Sequence, residues 1–239
     1  MTALRSVLFA AALLLVTPPF AVLSVLSFPL SRMGRFRVIS WWSKIMLFIA
    51  RHACGLDYRV EGRENLPAEP CVILSKHQSA WETLAFQTVF PPQVQVLKRE
   101  LLWIPFFGWG LAMMSPIAID RAKGRTALRQ LARLGKERIA QGFWVVIFPE
   151  GTRVTPGTQR KYQSGGAWLA VQTGAPVVPV AHNAGLYWPK NSFMKHPGTI
   201  TMRIGPAIPT AGRDPAEVIA ETERWIEQQQ SELCPARSS

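Results

Sequence analysis

Short apolar runs alternate with segments of helical periodicity along most of the chain. The runs that predict strands cover residues 57–62, 71–74, 94–98, 112–119, 143–148, 176–181 and 199–204. Segments with apolar residues at helical spacing begin at Ser79, Thr126, Ser164 and Asp214. This alternation predicts an α/β fold in which a layered, mostly parallel sheet is flanked by helices.

The chain begins with an apolar segment that is long enough to enter a membrane. The 26 residues 6–31 carry no charge and lie between Arg5 and Arg32, and about 20 apolar residues suffice to cross a bilayer as a helix. Pro18-Pro19 is expected to interrupt that helix, because proline removes a helical hydrogen bond. We therefore expect a membrane-embedded broken helix or helical hairpin. A single kinked span is the alternative, and a cleaved signal peptide is less favoured because no small-x-small cleavage site follows.

A second apolar stretch, residues 38–50, contains Trp41, Trp42 and Lys44, a combination typical of an interfacial helix. Residues 1–60 carry seven basic side chains against one acidic side chain. Basic residues beside a membrane segment favour the cytoplasmic, anionic face of a bilayer. We expect a membrane anchor over residues 1–54, an α/β domain over residues 55–239, and a location at the inner (cytoplasmic) membrane with that domain in the cytoplasm.

The charge and the cysteine content of the chain bear on its partners and its compartment. A net charge of +12 could indicate a nucleic-acid partner, but no zinc-ligand spacing, helix-turn-helix pattern or aromatic RNA-binding signature accompanies it, so we expect no nucleic acid. Cys54, Cys71 and Cys234 are odd in number and widely separated. They indicate neither a disulfide framework nor a metal site, and they suit a reducing compartment.

His77 and Glu82 follow the strand of residues 71–74, where open α/β sheets place their ligands. With His77 in the loop and Glu82 one turn into the helix, the carboxylate can reach the imidazole and fix its tautomer. The other ring nitrogen is then free to take a proton from a substrate hydroxyl. Residues 79–82 also form a capping-box sequence, in which Ser79 caps the helix and Glu82 bonds back to its first amide. The sequence leaves both interpretations open for Glu82.

Polar residues also end three other predicted strands. The four strand ends carry Lys76 and His77, Lys98, Arg121, and Glu150 with Arg153. Because parallel strands end at one edge of a sheet, these cations are expected to converge on an anionic substrate, and arginine binds phosphate in a two-pronged geometry. Taken singly, the Glu150 segment could be a solvated turn. The apolar residues 101–109 suit the lip of a lipid-facing groove.

Four sequence blocks in this order resemble the lysophospholipid acyltransferase family, and most of all its bacterial 1-acylglycerol-3-phosphate acyltransferases. The blocks cover residues 76–82 (KHQSAWE), 115–121 (SPIAIDR), 148–153 (FPEGTR) and 177–181 (VVPVA), with a KREL segment at 98–101. One departure is that the family's usual aspartate is replaced here by Glu82, which is one methylene longer.

The resemblance implies specific roles for the residues at the strand ends. His77 would be the general base, held by Glu82. The acceptor-phosphate site would comprise Lys98, Arg121, Glu150, Gly151, Thr152 and Arg153. No metal or bound cofactor is implied, because an acyl-CoA or acyl carrier protein thioester is the activated co-substrate. The oxyanion would be stabilised by backbone amides near the helix start or by a nearby cation.

The resemblance further implies acyl transfer to the sn-2 hydroxyl of lysophosphatidate, a membrane lipid, to give phosphatidate in phospholipid biosynthesis. The same chemistry on a lyso-ornithine lipid or a lipid A precursor is an alternative. A basic, membrane-anchored protein that binds anionic lipid without turnover is another.

Overall fold

The computed structural model describes residues 1–120 and 123–235. In that part of the chain, seven strands form one sheet in the order β1-β7-β6-β2-β5-β3-β4. Neighbours from β6 to β4 run parallel, whereas β7 is antiparallel to β6 and parallel to β1 at the edge. The strands are β1 (Leu56–Glu61), β2 (Val72–Ser75), β3 (Gln93–Lys98), β4 (Ile117–Ile119), β5 (Trp144–Ile147), β6 (Val177–His182) and β7 (Gly198–Ile204).

Helices precede, connect and follow these strands. They are α1 (Thr2–Leu26), α2 (Arg32–Cys54), α3 (Trp81–Val89), α4 (Phe107–Met113), α5 (Arg125–Ala140), α6 (Gly165–Thr173), α7 (Ala184–Tyr187) and α8 (Pro215–Leu233), with two 3₁₀ turns at Arg63–Asn65 and Arg99–Trp103. The prediction of a mostly parallel, helix-flanked sheet is confirmed.

Each face of the sheet is covered by its own apolar core. Val72 and Leu74 of β2 point into the core that contains side chains of α5, α6 and α8. Ile73 points to the opposite face, where it joins Trp81 of α3 and side chains of α1 and α2. Because successive strand residues face opposite sides, a continuous apolar run such as 71–74 marks a strand buried on both faces.

The expectation that Pro18-Pro19 interrupts the apolar segment is wrong, because α1 is continuous through both prolines. Helix α2 packs along α1, and Trp42 Nε1–H donates to Thr17 Oγ1 at 3.3 Å beside the prolines. Neighbouring helices and polar side chains of this kind let apolar helices retain proline. The chain turns at residues 27–31, so the helical hairpin lies between α1 and α2 and not within the apolar segment 6–31.

Helix α1 is the one described helix that is long and apolar enough to cross a membrane. Its 25 residues correspond to about 37 Å of helix, against a hydrocarbon core of about 30 Å. Exposed leucines such as Leu14 and Leu15 lie on its surface. This helix indicates a membrane-associated chain.

One predicted strand is shorter than expected. Residues 112–119 were predicted as a strand, but Ala112 belongs to α4 and only Ile117–Ile119 pairs with β3. Ser115, with a φ of 56°, lies between the helix and the strand in the left-handed region. That conformation separates the two elements, and apolar periodicity alone does not reveal it.

Candidate active site

His77 lies in the loop between β2 and α3, as expected from the polar end of the 71–74 run. Its Nδ1–H donates to Glu82 Oε1 at 2.7 Å, and its ring stacks on Phe148 with centroids 4.1 Å apart. No described residue hydrogen-bonds to its Nε2. The imidazole is therefore fixed in one orientation and tautomer, with Nε2 able to accept a proton.

Glu82 is fully buried and gathers three donors on a single oxygen. Besides His77, the backbone amides of Gln78 and Ser79 donate to Oε1 at 2.9 and 2.8 Å. Burial alone would raise the pKa of the Glu82 carboxyl, but the neighbouring His182, the hydrogen bond from His77 and the Ser79 amide together lower it. Glu82 thus bonds back to the helix start and contacts the histidine at the same time, so both sequence interpretations describe real contacts.

The backbone of His77 is held as firmly as its side chain. Its amide donates to Glu150 Oε2 at 2.8 Å, and its carbonyl accepts from the Val154 amide at 2.7 Å. Lys76 Nζ in turn lies 2.8 Å from Glu150 Oε1, and both side chains are buried. The segment after β5 therefore fixes the position of the His77 backbone.

A cavity of about 500 Å³ opens at His77. Its polar end is lined by His77, Lys98, Gly151, Thr152, Arg153, Lys190 and Asn191. Its apolar part runs between α1, α2, α3 and α4, with Phe20, Ala21, Trp42, Leu84, Phe107 and Leu111 among the lining residues. The predicted apolar lip contributes Leu101, Phe106 and Phe107. The cavity therefore has the shape and polarity for an apolar chain attached to a polar reacting group.

Four amides at the start of α3 and in the loop before it already have acceptors. Those of Gln78 and Ser79 donate to Glu82, that of His77 to Glu150, and that of Trp81 to Ser79 Oγ. The expected oxyanion donors are therefore the cations at the polar end of the cavity or the other amides of the first turn of α3.

Comparison with known proteins identifies the family of the chain. Residues 57–183 match the family model described as Acyltransferase. The 1-acyl-sn-glycerol-3-phosphate acyltransferase of Pseudomonas aeruginosa is 47% identical over 98% of this chain and 93% of that protein. The human 1-acyl-sn-glycerol-3-phosphate acyltransferase beta is 34% identical over 77% of this chain and 66% of its own length. The chain belongs to the acyltransferase family.

The fold of this acyltransferase is also found in a solved structure. The crystal structure of the 1-acyl-sn-glycerophosphate (LPA) acyltransferase PlsC from Thermotoga maritima matches with a TM-score of 0.80. The match covers 100% of this chain and 98% of that chain at 22% identity. The shared architecture therefore includes the α1–α2 hairpin as well as the sheet.

The predicted phosphate-site residues of the acyltransferase do not all occupy the same place. Lys98, Gly151, Thr152 and Arg153 line the cavity together with His77. The carboxylate of Glu150 lies outside that lining, because Lys76 and the His77 amide hold it in the interior. Arg121 lies outside the described residues.

Lys190 and Asn191 at the mouth of the cavity were not identified from the sequence. They follow α7 and belong to none of the four blocks. Pro189-Lys-Asn-Ser192 is a turn closed by a hydrogen bond from the Ser192 amide to the Pro189 carbonyl, with Asn191 at a φ of 58°. The Pro-x-Asn signal for a turn was available, but its position beside the histidine loop depends on the tertiary fold.

A second histidine, His182, is fully buried behind the site. Its Nε2–H donates to the Lys76 carbonyl at 2.9 Å, and its Nδ1 accepts from the Ala184 amide at 3.3 Å. Burial lowers the pKa of His182, against the opposing effect of the Glu82 carboxylate. His182 therefore supports the loop that carries His77 without facing the cavity.

Proposed function

We propose that this acyltransferase moves an acyl chain from a thioester donor to the sn-2 hydroxyl of lysophosphatidate, which gives phosphatidate in phospholipid biosynthesis. The observation that carries the proposal is the 2.7 Å contact between His77 and a buried carboxylate, at the point where an apolar cavity meets a cluster of cations. The names of the Pseudomonas and human relatives support the same reaction.

In this mechanism His77 acts as general base and Glu82 as the residue that orients it. Nε2 takes the proton of the acceptor hydroxyl as the oxygen attacks the thioester carbonyl, and Glu82 stabilises the imidazolium that forms. The carbon–sulfur bond then breaks, the proton passes from His77 to the departing thiolate, and an ester remains. Lys98 or Arg153, which line the cavity together with His77, stabilises the oxyanion, since the amides of His77, Gln78 and Ser79 already have acceptors.

The polar end of the cavity suits an acceptor that carries a phosphate. Lys98, Arg153 and Lys190 lie there without a salt-bridge partner among the described residues. A phosphomonoester carries up to two negative charges at neutral pH, which cationic side chains can bind by charge-assisted hydrogen bonds. We also propose that Arg121 and Gly151 belong to this site, as the sequence resemblance implies.

The apolar part of the cavity would hold the acyl chain. Four residues of α1, namely Thr17, Phe20, Ala21 and Ser24, line it. The membrane helix would therefore form one wall of the lipid site, and the exposed aromatic side chains of the lip, such as Trp103 and Trp109, would lie where lipid enters. An acyl-CoA or acyl carrier protein thioester is already activated, so we propose no metal ion and no bound cofactor.

We further propose that the enzyme lies at the inner (cytoplasmic) membrane with the sheet domain in the cytoplasm. Arg5 lies in the first turn of α1, and Arg32, Arg35 and Arg37 follow the helix at the start of α2. Such residues favour the cytoplasmic side and attract an anionic membrane surface. No nucleic-acid partner is proposed.

The substrate is tested by a competition between acceptors. Purified full-length protein is supplied with a labelled acyl thioester and an equimolar mixture of lysophosphatidate, lysophosphatidylcholine and lyso-ornithine lipid in vesicles. Labelled phosphatidate is expected as the main product, because the cationic end of the cavity favours a phosphomonoester. Transfer mainly to lyso-ornithine lipid would show that the phosphate does not select the acceptor. Lipid binding without any transfer would refute the enzymatic proposal.

A further inference from the structure

The loop that carries His77 is held by a helix that the family model does not include. That model ends at residue 183, whereas α8 spans Pro215–Leu233. Two polar residues of α8 bond to the residues directly before and after His77. We infer that Glu227 and Gln230 of α8 are positioning residues for the proposed general base, an inference that rests on the proposed function.

The first connection reaches Lys76, the residue before the histidine. Glu227 Oε1 lies 2.7 Å from Lys76 Nζ and also accepts from Tyr162 Oη at 2.8 Å. Lys76 pairs on its other side with Glu150, whose second oxygen accepts the His77 amide. An unbroken series of contacts thus runs from α8 to the backbone of His77.

The charges in this series are interdependent. Burial alone would lower the pKa of Lys76, but the adjacent Glu150 and Glu227 raise it, so the ammonium stays charged. Burial raises the pKa of the Glu150 carboxyl, and the Lys76 ammonium and the His77 amide oppose this rise. Glu227 therefore acts on the histidine through the orientation and charge of Lys76.

The second connection reaches Gln78, the residue after the histidine. Gln78 Nε2–H donates to Gln230 Oε1 at 2.6 Å, and Gly185 N–H donates to Gln78 Oε1 at 3.1 Å. Gln230 Nε2–H in turn donates to the His182 carbonyl at 2.9 Å. Because Gln78 and Gln230 are both buried, water cannot replace these bonds without a rearrangement.

Glu227 and Gln230 are three residues apart, so they lie on one face of α8 and reach Lys76 and Gln78 side by side. The helix itself is anchored by fully buried Val218 and Ile226 in the core of one sheet face. Glu227 and Gln230 are consequently held on a helix that is fixed in the core. A displacement of about 1 Å in a catalytic group can lower a rate on the order of 100-fold, so this support bears on turnover.

The experiment replaces the glutamine by a side chain of the same length. Gln230→Met removes both hydrogen bonds with little change in volume, and Gln229→Met is the matched control, because Gln229 bonds to Arg203 on the surface. For Gln230→Met we expect kcat to fall on the order of 10- to 100-fold, with KM for both substrates close to that of the wild type. The Gln229→Met enzyme is expected to keep the wild-type kcat.

Three further variants separate positioning from a purely structural role. Ile226→Val removes a methyl group from the same helix and should lower Tm while leaving kcat unchanged. In a Gln78→Met/Gln230→Met double variant the two losses in kcat should be less than additive in free energy, because each change removes the hydrogen bond that the two glutamines share. Glu227→Gln keeps the shape of the side chain and should also lower kcat. This variant tests the inference independently if Gln230→Met does not fold.

The outcomes distinguish this inference from the function on which it rests. If His77→Ala is inactive and Gln230→Met and Glu227→Gln both turn over like the wild type, α8 has no positioning role and the proposed function stands. If Gln230→Met and Glu227→Gln lower Tm and leave the kcat of the folded enzyme unchanged, as expected for Ile226→Val, the role is structural and the inference is overturned. If His77→Ala itself retains wild-type activity, the proposed function fails first.

Discussion

Glu82→Asp shortens by one methylene the carboxylate that contacts His77. In the structure, Oε1 lies 2.7 Å from His77 Nδ1 and accepts two backbone amides at 2.8 and 2.9 Å. With the backbone of α3 in place, an aspartate oxygen is withdrawn by about one carbon–carbon bond, or 1.5 Å. The gap to Nδ1 then becomes about 4 Å, which is beyond hydrogen-bond distance.

The magnitude follows from the lost contact. A hydrogen bond to a charged group contributes about 1.5–3 kcal/mol, and each 1.4 kcal/mol in the barrier corresponds to about tenfold in rate. We therefore expect Glu82→Asp to lower kcat roughly 10- to 100-fold, although aspartate is usual at this position in the family that the chain resembles. The longer side chain is needed because Glu82 is the second residue of α3 and must reach back to the loop.

The assay is steady-state acyl transfer to lysophosphatidate, with kcat and KM measured separately and Tm measured on the same preparations. Glu69→Asp is the matched control, because Glu69 is exposed and lies outside the site. Glu82→Gln keeps the length and loses the charge, so it reports the electrostatic share of the effect. A Glu82→Asp enzyme with wild-type kcat and Tm would refute the argument that carboxylate reach orients His77.

Three other predictions concern the cavity and the thiols. Arg153→Met should raise KM for lysophosphatidate by on the order of tenfold, the size expected for one charge-assisted contact. The control Arg160→Met, at an exposed arginine, should leave KM unchanged. Equal KM values for the two variants would show that Arg153 does not bind the acceptor. Ala21→Phe places a ring in the apolar part of the cavity. In a competition between thioesters of different acyl length, this variant should prefer shorter acyl chains than the wild type does. An unchanged product distribution would show that the acyl chain does not lie beside Ala21. Cys54, Cys71 and Cys234 are buried, and burial raises the pKa of each thiol, which lowers the thiolate fraction at neutral pH. An alkylating reagent should therefore not inhibit the native enzyme, and rapid inactivation would contradict the buried placement of the three thiols.

Local patterns were sufficient to predict the edge of the sheet where the site lies. The polar residue that follows each of these apolar runs lies at the end of a strand. Because β2, β5, β3 and β4 are neighbours in the sheet, these strand ends lie close together. The reach from Glu82 to His77 also follows from local spacing, since one residue lies in the loop and the other in the first turn of α3. The catalytic and substrate-binding roles of these residues stay predictions.

Contacts between distant segments were not predictable from the same patterns. Lys76 looked like a free cation at a strand end, and Glu150 like a substrate contact, but Glu227 lies 151 residues beyond Lys76 and completes their buried cluster. Pro18-Pro19 was misjudged for the same reason. The packing of α2 along α1 decides the outcome there, and proline propensity within the segment does not.

The central claim is tested most directly by acyl transfer from a labelled thioester to lysophosphatidate in membrane vesicles with wild-type and His77→Ala protein. The account predicts that the wild type forms labelled phosphatidate and that His77→Ala is folded, with a Tm near that of the wild type, and inactive. A His77→Ala protein that forms phosphatidate at the wild-type rate would contradict the claim and leave Glu82 as a helix-capping residue.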